Sequence, residues 1–228
     1  MSKPFHIWEN VYIIGGAEIS HPYDCCVYLI DVGELILIDS GAGRSFDRLV
    51  DNILTLGFIP EKISTVVVTH CHIDHIGSLA KLKQKYDAKI IAHKLDAESI
   101  ETGKGTGAEV YGVNYEPCQI DVTVQGAEQK LIFGGQEFTA IHIPGHTKGS
   151  IALYTDISGE RILFGQDIHG PYEVMWGGEP NKAIISLQKL IDLKADILCE
   201  GHFGIYQPAS EVKDYIEGYL RQLSSRYM

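Results

Sequence analysis

The sequence predicts an α+β fold of four layers, αββα, in which two sheets pack face to face and helices cover their outer faces. Apolar strand patterns are followed by amphipathic helix patterns, and this order occurs twice along the chain. The strand patterns are short, and Gly-containing turn signals separate them. No Pro/Ser-rich linker or low-complexity block divides the 228 residues. We therefore expect a single domain that spans residues 1–228.

The first half of the chain contains strand patterns and then helix patterns. The predicted strands are residues 5–14, 26–30, 35–38, 63–68 and 89–92. The predicted helices are residues 46–54 and 77–86. Apolar side chains spaced by three and four indicate the first helix, and Gly57 follows as its stop signal. Residues 95–117 are glycine-rich and weakly periodic after one predicted helical turn, and we expect residues 103–107 to form a mobile lid.

The second half repeats this order. The predicted strands are residues 120–124, 130–133, 137–143, 150–155, 161–164 and 196–199. Gly134-Gly135 and Ser158-Gly159 supply tight turns between them. An amphipathic helix is predicted over residues 183–193, and Ser210 is expected to cap a final helix.

Composition and charge exclude several classes of protein. The chain is 45% hydrophobic and 21% charged, an ordinary globular composition. Its net charge is −11 without a Lys/Arg cluster, so repulsion from phosphate backbones opposes nucleic-acid binding. No apolar run is long enough to span a membrane, and the amino terminus lacks the features of a signal peptide. We therefore expect a cytoplasmic protein with a small-molecule substrate and no nucleic-acid or membrane partner.

Five cysteines are an odd number without the spacing of a disulfide framework. In a protein expected in the cytoplasm they are predicted to be free thiols. The sequence leaves the oligomeric state open, with a homodimer as one option.

Metal-type ligands occur in four loops, each of which follows an apolar strand. The loop residues concerned are His70, His72, Asp74 and His75, then His146, then Asp167, then His202. Four such residues within six positions are hard to explain by packing. Five imidazoles and two carboxylates, with no cysteine, suit Zn²⁺ or Fe rather than a structural cysteine-rich zinc site. A chain leaving a strand can direct His70 and His72 at one metal, and Asp74 and His75 at a neighbouring one.

The pattern His70-x-His72-x-Asp74-His75, together with His146 in Pro-Gly-His-Thr, Asp167 and Gly201-His202, resembles the metallo-β-lactamase superfamily. The resemblance covers essentially the whole chain and implies the αββα sandwich with a two-metal site at one edge. It implies that one metal is held by His70, His72 and His146. It implies that the second is held by Asp74, His75 and His202, with Asp167 as the bridge.

The resemblance also implies the chemistry: two divalent metal ions, with Zn favoured over Fe or Mn, and a metal-bound hydroxide that attacks a small ester, thioester or lactone. Asp74 would help to position or deprotonate the attacking water. Asp39, in Ile-Asp-Ser-Gly, resembles the strand-end aspartate of the family and is expected to orient the histidine cluster.

Departures from known branches narrow the function. The chain lacks both the secretion signal of periplasmic β-lactamases and the metal-site cysteine of their largest class, which disfavours β-lactam hydrolysis. It also lacks the nucleic-acid-binding insertions of the tRNA-processing branch. Only about one helix follows His202, whereas glyoxalase II enzymes typically add a helical glutathione-binding domain. Short glyoxalase-II-like and lactonase-like proteins remain open.

Two alternatives stay open beside the hydrolase. One is a mononuclear non-haem iron persulfide dioxygenase of the same fold, which uses positions such as His70, His146 and Asp167 for one iron. Flavodiiron proteins fit less well, because they usually carry a glutamate at the second histidine. The other alternative is a metal-holding module without catalysis, which the complete ligand set disfavours.

The substrate pocket is less defined by the sequence. His169, two residues beyond Asp167, could protonate a leaving group as a catalytic residue or only hydrogen-bond its loop. Tyr172, Met175 and Trp176 could form one pocket wall, and His21 with Pro22 and Tyr23 the opposite wall.

Overall fold

A computed structural model describes residues 2–174 and 177–227. The chain divides into two compact units. The first runs to Val124 and includes Ile132–Gln136; the second contains Gln125–Leu131 and the chain from Glu137 onward.

The first unit contains a seven-stranded sheet in the simple order β1 to β7. Its strands are β1 (Phe5–Trp8), β2 (Val11–Gly15), β3 (Val27–Asp31), β4 (Leu35–Ile38), β5 (Ile63–Val67), β6 (Lys89–His93) and β7 (Val122–Val124). Strands β1 to β4 pair antiparallel, and β4 to β7 pair parallel. Parallel pairing needs crossover connections, and these contain the helices of the unit. The helices are α1 (Phe46–Thr55), α2 (Ile73–Ile76), α3 (Leu79–Tyr86) and α4 (Ala97–Thr102), with a 3₁₀ turn at Pro60–Lys62.

The core of the first unit lies between its sheet and the apolar helix faces. Leu37 and Val66, from neighbouring parallel strands, are at most 1% exposed and belong to one buried cluster with Leu49 of α1 and Leu79 of α3. The cluster also includes Ile73 and Ile76 of α2. This short helix carries two of the predicted metal ligands, so its packing fixes their backbone.

The second unit contains most of a six-stranded sheet in the order β13-β12-β11-β10-β9-β8. Its strands are β8 (Glu128–Phe133), β9 (Gln136–His142), β10 (Ile151–Ile157), β11 (Glu160–Gly165), β12 (Ile197–Glu200) and β13 (Ile205–Tyr206). Strands β11 and β12 pair parallel, and α5 (Pro180–Asp192) lies in the connection between them. The final helix, α6, covers Ala209–Tyr227. Leu187 of α5, Ile216 of α6 and Leu163 of β11 share the buried core.

Three predicted elements differ from the structure. The strand predicted over residues 5–14 is wrong, because Glu9 has a left-handed backbone (φ 43°) and the chain reverses there to form the β1–β2 hairpin. The helix predicted over residues 77–86 is two helices, α2 and α3, which Gly77 and Ser78 separate. The cap predicted for the final helix is wrong, because α6 begins at Ala209 and Ser210 lies within its first turn. The helical turn expected after Leu95 is present as the six-residue helix α4.

The five cysteines are free and buried, as predicted. Within the described ranges, no helix has both the length and the apolar character needed to cross a membrane.

Candidate functional site

The histidine-rich loop of the first unit follows β5. Parallel strands place their carboxyl ends at one edge of a sheet, so this loop lies at the same edge as the residues that follow β4. His70 and the α2 residues Asp74 and His75 are buried, and His72 is half-buried. The His70 ring lies 4.8 Å from the His72 ring and 3.9 Å from the His75 ring, measured between centroids. The first unit therefore gathers its four predicted ligands into one cluster.

Asp39 directly follows β4, lies next to this cluster and is fully buried. Its Oδ2 accepts hydrogen bonds from His75 Nδ1 (2.7 Å) and from the Thr69 hydroxyl (2.7 Å), and its Oδ1 accepts one from the Thr69 backbone N–H (2.8 Å). Burial raises the pKa of the Asp39 carboxyl above its ordinary value, although the interaction with His75 opposes the rise. Asp39 makes the contact with the histidine cluster that the sequence analysis expects of it.

The hydrogen bonds of Asp39 determine which ring nitrogens carry protons. His75 Nδ1 faces a carboxylate, which only accepts, so Nδ1 donates and Nε2 keeps its lone pair. The Thr69 hydroxyl donates its single proton to Asp39, so at its 3.2 Å contact with His70 Nδ1 it can only accept. His70 Nε2 therefore also keeps its lone pair. The Nε2 of His75 lies 3.5 Å from Asp74 Oδ2, so a ring nitrogen and a carboxylate oxygen converge.

The second unit contains the other three predicted ligands. Two of them are histidines that lie beside the carboxylate of the third, Asp167. Asp167 follows β11, and its two oxygens are directed at different histidines: Oδ2 is 3.3 Å from His146 Nε2 and Oδ1 is 3.2 Å from His202 Nε2. His146 Nδ1 donates to the Pro171 carbonyl at 2.8 Å, which leaves Nε2 as the nitrogen that faces Asp167. Asp167 therefore presents one carboxylate oxygen to each of these two histidines.

Two glycines make this arrangement sterically feasible. A Cβ at Gly201 would lie 2.4 Å from Asp167 Oδ1, and a Cβ at Gly145 would lie 2.6 Å from the Ala183 Cβ. Glycine therefore allows the backbone beside His202 and the backbone beside His146 to approach their neighbours closely.

Glu200 is a site residue that the sequence analysis missed. It is the last residue of β12 and is fully buried. One oxygen accepts a hydrogen bond from His169 Nδ1 at 2.8 Å, and the other accepts from the backbone N–H groups of His202 (2.7 Å) and Phe203 (2.9 Å). Its signal in the sequence was a glutamate that ends an apolar strand two residues before a predicted ligand.

The predicted pocket residues have mixed outcomes. Tyr172 is buried, donates its hydroxyl to the Ile168 carbonyl at 2.5 Å, and has a pKa raised well above its ordinary value by burial. Together with His146 and Asp167 it lines a small cavity that has room for about one water molecule. Met175 and Trp176 lie outside the described residues. Among the residues of the other predicted wall, the rings of His21 and Tyr23 pack on each other at 5.3 Å.

A thiol also lies beside the cluster of the first unit. Cys25 is fully buried next to His75 and Asp39, and burial raises its pKa well above the ordinary value of 9.0. Its thiol form is thereby favoured, which fits a packing role rather than a ligand role.

Comparison with known proteins assigns the family. The sequence profile of the metallo-β-lactamase superfamily matches residues 22–202, and the chain belongs to this superfamily. The predicted resemblance and fold class are confirmed, since the mixed α/β chain with two sheets matches the metallo-β-lactamase sandwich. Members of the superfamily are mostly metallo-hydrolases, and the fold typically binds divalent metal ions.

Individual relatives span several activities. The metallo-β-lactamase fold-containing protein ST1585 of Sulfurisphaera tokodaii is 28% identical, over 96% of this chain and 85% of its own. The hydroxyacylglutathione hydrolase of Bartonella tribocorum is 33% identical over a shorter stretch, 46% of this chain and 34% of its own. The crystal structure of the metallo-β-lactamase GOB-18 from Elizabethkingia meningoseptica has a TM-score of 0.78 and 26% identity, over 99% of this chain and 91% of its own.

Proposed function

We propose that this chain is a dinuclear metal-dependent hydrolase of a small ester, thioester or lactone. The observation that carries the proposal is the carboxylate of Asp167, which directs one oxygen at His146 Nε2 and the other at His202 Nε2. A carboxylate between two imidazoles in this way has the geometry of a bridging ligand. A single-metal site needs no such bridge.

The donor set fits divalent metal ions. His70, His75 and His146 each engage Nδ1 with an oxygen, and each therefore keeps the Nε2 lone pair that a metal requires. Three imidazoles (His70, His72 and His146) would hold the first ion. Asp74, His75 and His202 would hold the second, with Asp167 shared. Imidazole and carboxylate ligands without thiolate suit Zn²⁺, and also admit Fe or Mn.

When bound, the ions would supply Lewis acidity that activates a water and polarises the carbonyl under attack. The side chains would divide the remaining work. Asp74, adjacent to His75, would orient the attacking water and accept its proton on a carboxylate oxygen. His169 would take up a proton from solvent on Nε2 and deliver it to the leaving group, because its Nδ1–H is held by Glu200.

The substrate class rests on acyl chemistry shared among the relatives. A hydroxyacylglutathione hydrolase acts on the thioester that its name states, and the structural neighbours are β-lactamases. Both kinds of substrate expose an acyl carbonyl, and esters and lactones have the same electrophilic centre.

The test combines elemental analysis of untagged protein with assays on a panel of thioesters, lactones and phosphodiesters. We expect two metal ions per chain and hydrolysis of at least one acyl substrate. His70→Ala and Asp167→Asn should each lower kcat/KM by about 100-fold or more, because several kcal/mol of charge stabilisation depend on the metals. His6→Gln is the matched control, because His6 lies on the exposed face of β1.

Two outcomes would contradict the proposal. Two bound metals with hydrolysis unchanged in His70→Ala and Asp167→Asn would overturn the mechanism. One iron per chain, with oxygen consumption on glutathione persulfide, would identify the dioxygenase instead.

A further inference from the structure

Glu200 connects two loops of the second unit through one carboxylate. Its Oε1 accepts from His169, on the loop that follows β11, and its Oε2 accepts from the backbone N–H groups of His202 and Phe203, on the loop that follows β12. The two loops are adjacent because β11 and β12 pair parallel and end at the same edge of the sheet. A single side chain therefore contacts both the predicted proton-transfer residue and the turn that carries a predicted ligand.

Glu200 is fully buried, and removing a carboxylate from water costs free energy unless hydrogen-bond donors surround it. Glu200 has three donors within 2.9 Å, an imidazole N–H and two backbone N–H groups. Charge-assisted hydrogen bonds of this kind are short and strong, and they offset the desolvation of the buried carboxylate.

The carboxylate also selects the tautomer of His169. Because a carboxylate only accepts, His169 Nδ1 must donate, and in the neutral ring the lone pair is on Nε2. The ring also makes edge-on contacts with Phe203 (4.8 Å between centroids) and His202 (5.5 Å), which lie on the turn that Glu200 holds. Glu200 therefore determines the location of the proton and also contributes to the position of the ring.

We infer that Glu200 is a positioning residue with two roles: Oε1 sets the tautomer of His169, and Oε2 holds the turn that presents His202. The catalytic consequence of the first role rests on the proposed function. Both roles have physical readouts that need no substrate.

Three variants separate the two roles. Glu200→Gln keeps the side-chain shape: its amide oxygen can accept from the two backbone N–H groups, and its NH₂ group then faces His169 Nδ1. Glu200→Ala removes both functions. Glu217→Gln is the matched control, because Glu217 on α6 forms surface ion pairs with Lys213 and Arg221.

The primary readout is ¹⁵N NMR of histidine-labelled, zinc-loaded protein, with the His169 signal identified by its loss in His169→Gln. We expect the wild type to carry the proton on Nδ1 and Glu200→Gln to move it to Nε2. Metal content should stay unchanged in Glu200→Gln, whereas zinc affinity in Glu200→Ala should fall by about 10- to 100-fold. On an active acyl substrate, Glu200→Gln should lower kcat by about 10-fold with KM changed by less than about 3-fold.

A wild-type proton on Nε2, or an unchanged tautomer in Glu200→Gln, would overturn the inference about His169. Unchanged zinc affinity in Glu200→Ala would overturn the inference about the His202 turn. If the wild type hydrolyses no panel substrate, the proposed function fails, while the NMR and zinc measurements still decide the role of Glu200. If Glu200→Ala does not fold, Glu200→Gln and the wild-type tautomer remain decisive.

Discussion

His75 donates a hydrogen bond from Nδ1 to Asp39 Oδ2 at 2.7 Å, and neither side chain is exposed to solvent. The two residues are 36 positions apart in the chain and meet because β4 and β5 are parallel neighbours. A predicted metal ligand is thus oriented by a carboxylate from the adjacent strand end.

Replacing Asp39 by alanine should destabilise the metal-free protein by roughly 3–5 kcal/mol, because it leaves buried donors of His75 and Thr69 without their acceptor. Metal affinity should fall by about 10- to 100-fold, since the His75 ring is no longer oriented. Urea denaturation and competition with a chelating indicator measure the two effects. Asp214→Asn, on the exposed face of α6, should change neither; equal losses in both variants would contradict the role of Asp39.

Replacing Gly201 by alanine should displace Asp167, because the new Cβ would lie 2.4 Å from Asp167 Oδ1. We expect a loss of roughly 1–3 kcal/mol in stability from overpacking, and at least about 10-fold weaker metal binding. The control is Gly218→Ala on α6, where nothing lies within 4 Å of the added Cβ. That change should stabilise the protein by up to about 1 kcal/mol through helix propensity. Unchanged metal affinity in Gly201→Ala would argue against Asp167 as a ligand.

Arg44 holds the long glycine-rich loop of the first unit. Its Nη2 donates to the carbonyls of Tyr111 (3.1 Å) and Gly112 (2.7 Å), and its guanidinium lies 5.2 Å from the centre of the Tyr23 ring. Arg44→Ala should therefore speed amide hydrogen exchange of residues 111–113 by roughly 3- to 10-fold, since local opening loses two hydrogen bonds. The control is Arg48→Ala, because Arg48 lies on α1 and is exposed, as Arg44 is. Equal exchange in both variants would show that Arg44 does not restrain the loop.

Asp24 should make stability fall as the pH rises. Its carboxylate accepts hydrogen bonds from Ser20, Ser45 and the Ala42 N–H, but burial outweighs them and raises its pKa above the ordinary value of 3.8. A carboxyl with a raised folded-state pKa binds its proton more tightly in the folded state. Its stabilising contribution is therefore complete below pH 3.8 and is lost as the pH rises through the folded-state pKa.

The unfolding free energies of metal-free wild type and metal-free Asp24→Asn are measured from pH 3.8 upward through the folded-state pKa of Asp24. The quantity of interest is the difference between the two proteins at each pH. The wild type should lose stability relative to the variant as the pH increases. Asp156→Asn should show the opposite sign, because the hydrogen bond from Arg161 lowers the pKa of Asp156, and stability is then lost as the pH falls. Its effect should be small because that ion pair is at the surface. A flat difference for Asp24→Asn would contradict the assigned pKa direction.

Much of the architecture follows from local patterns. Strands such as β5 and β12 are short apolar runs bounded by polar loop residues, and the amphipathic helix α5 begins within three residues of its prediction. The β1–β2 reversal could not be predicted this way, since it depends on a left-handed backbone at a glutamate. The split between α2 and α3 occurs at Gly77, where a Cβ would clash with the backbone of Ala42, and a contact between such distant segments is not visible in a local pattern.

The sequence by itself determined which residues are the predicted metal ligands and which loops carry them, because each motif is a short run at the end of a strand. His70 to His75 is a stretch of six consecutive residues, and a metal-ligand pattern of that density can be recognised from the sequence alone. Asp39 was identified only from its resemblance to the strand-end aspartate of the family, because an aspartate before a glycine is also typical of an ordinary turn.

Only the tertiary structure decided which partner each predicted ligand has and which of its ring nitrogens faces a hydrogen-bond acceptor. Asp39 meets His75 across 36 positions, and Glu200 meets His169 across 31. Such pairs depend on the parallel register of neighbouring strands, which brings loops that are distant in the chain to one edge of a sheet. Hydrogen-bond donors and acceptors are matched there by geometry, and no spacing along the chain encodes that match.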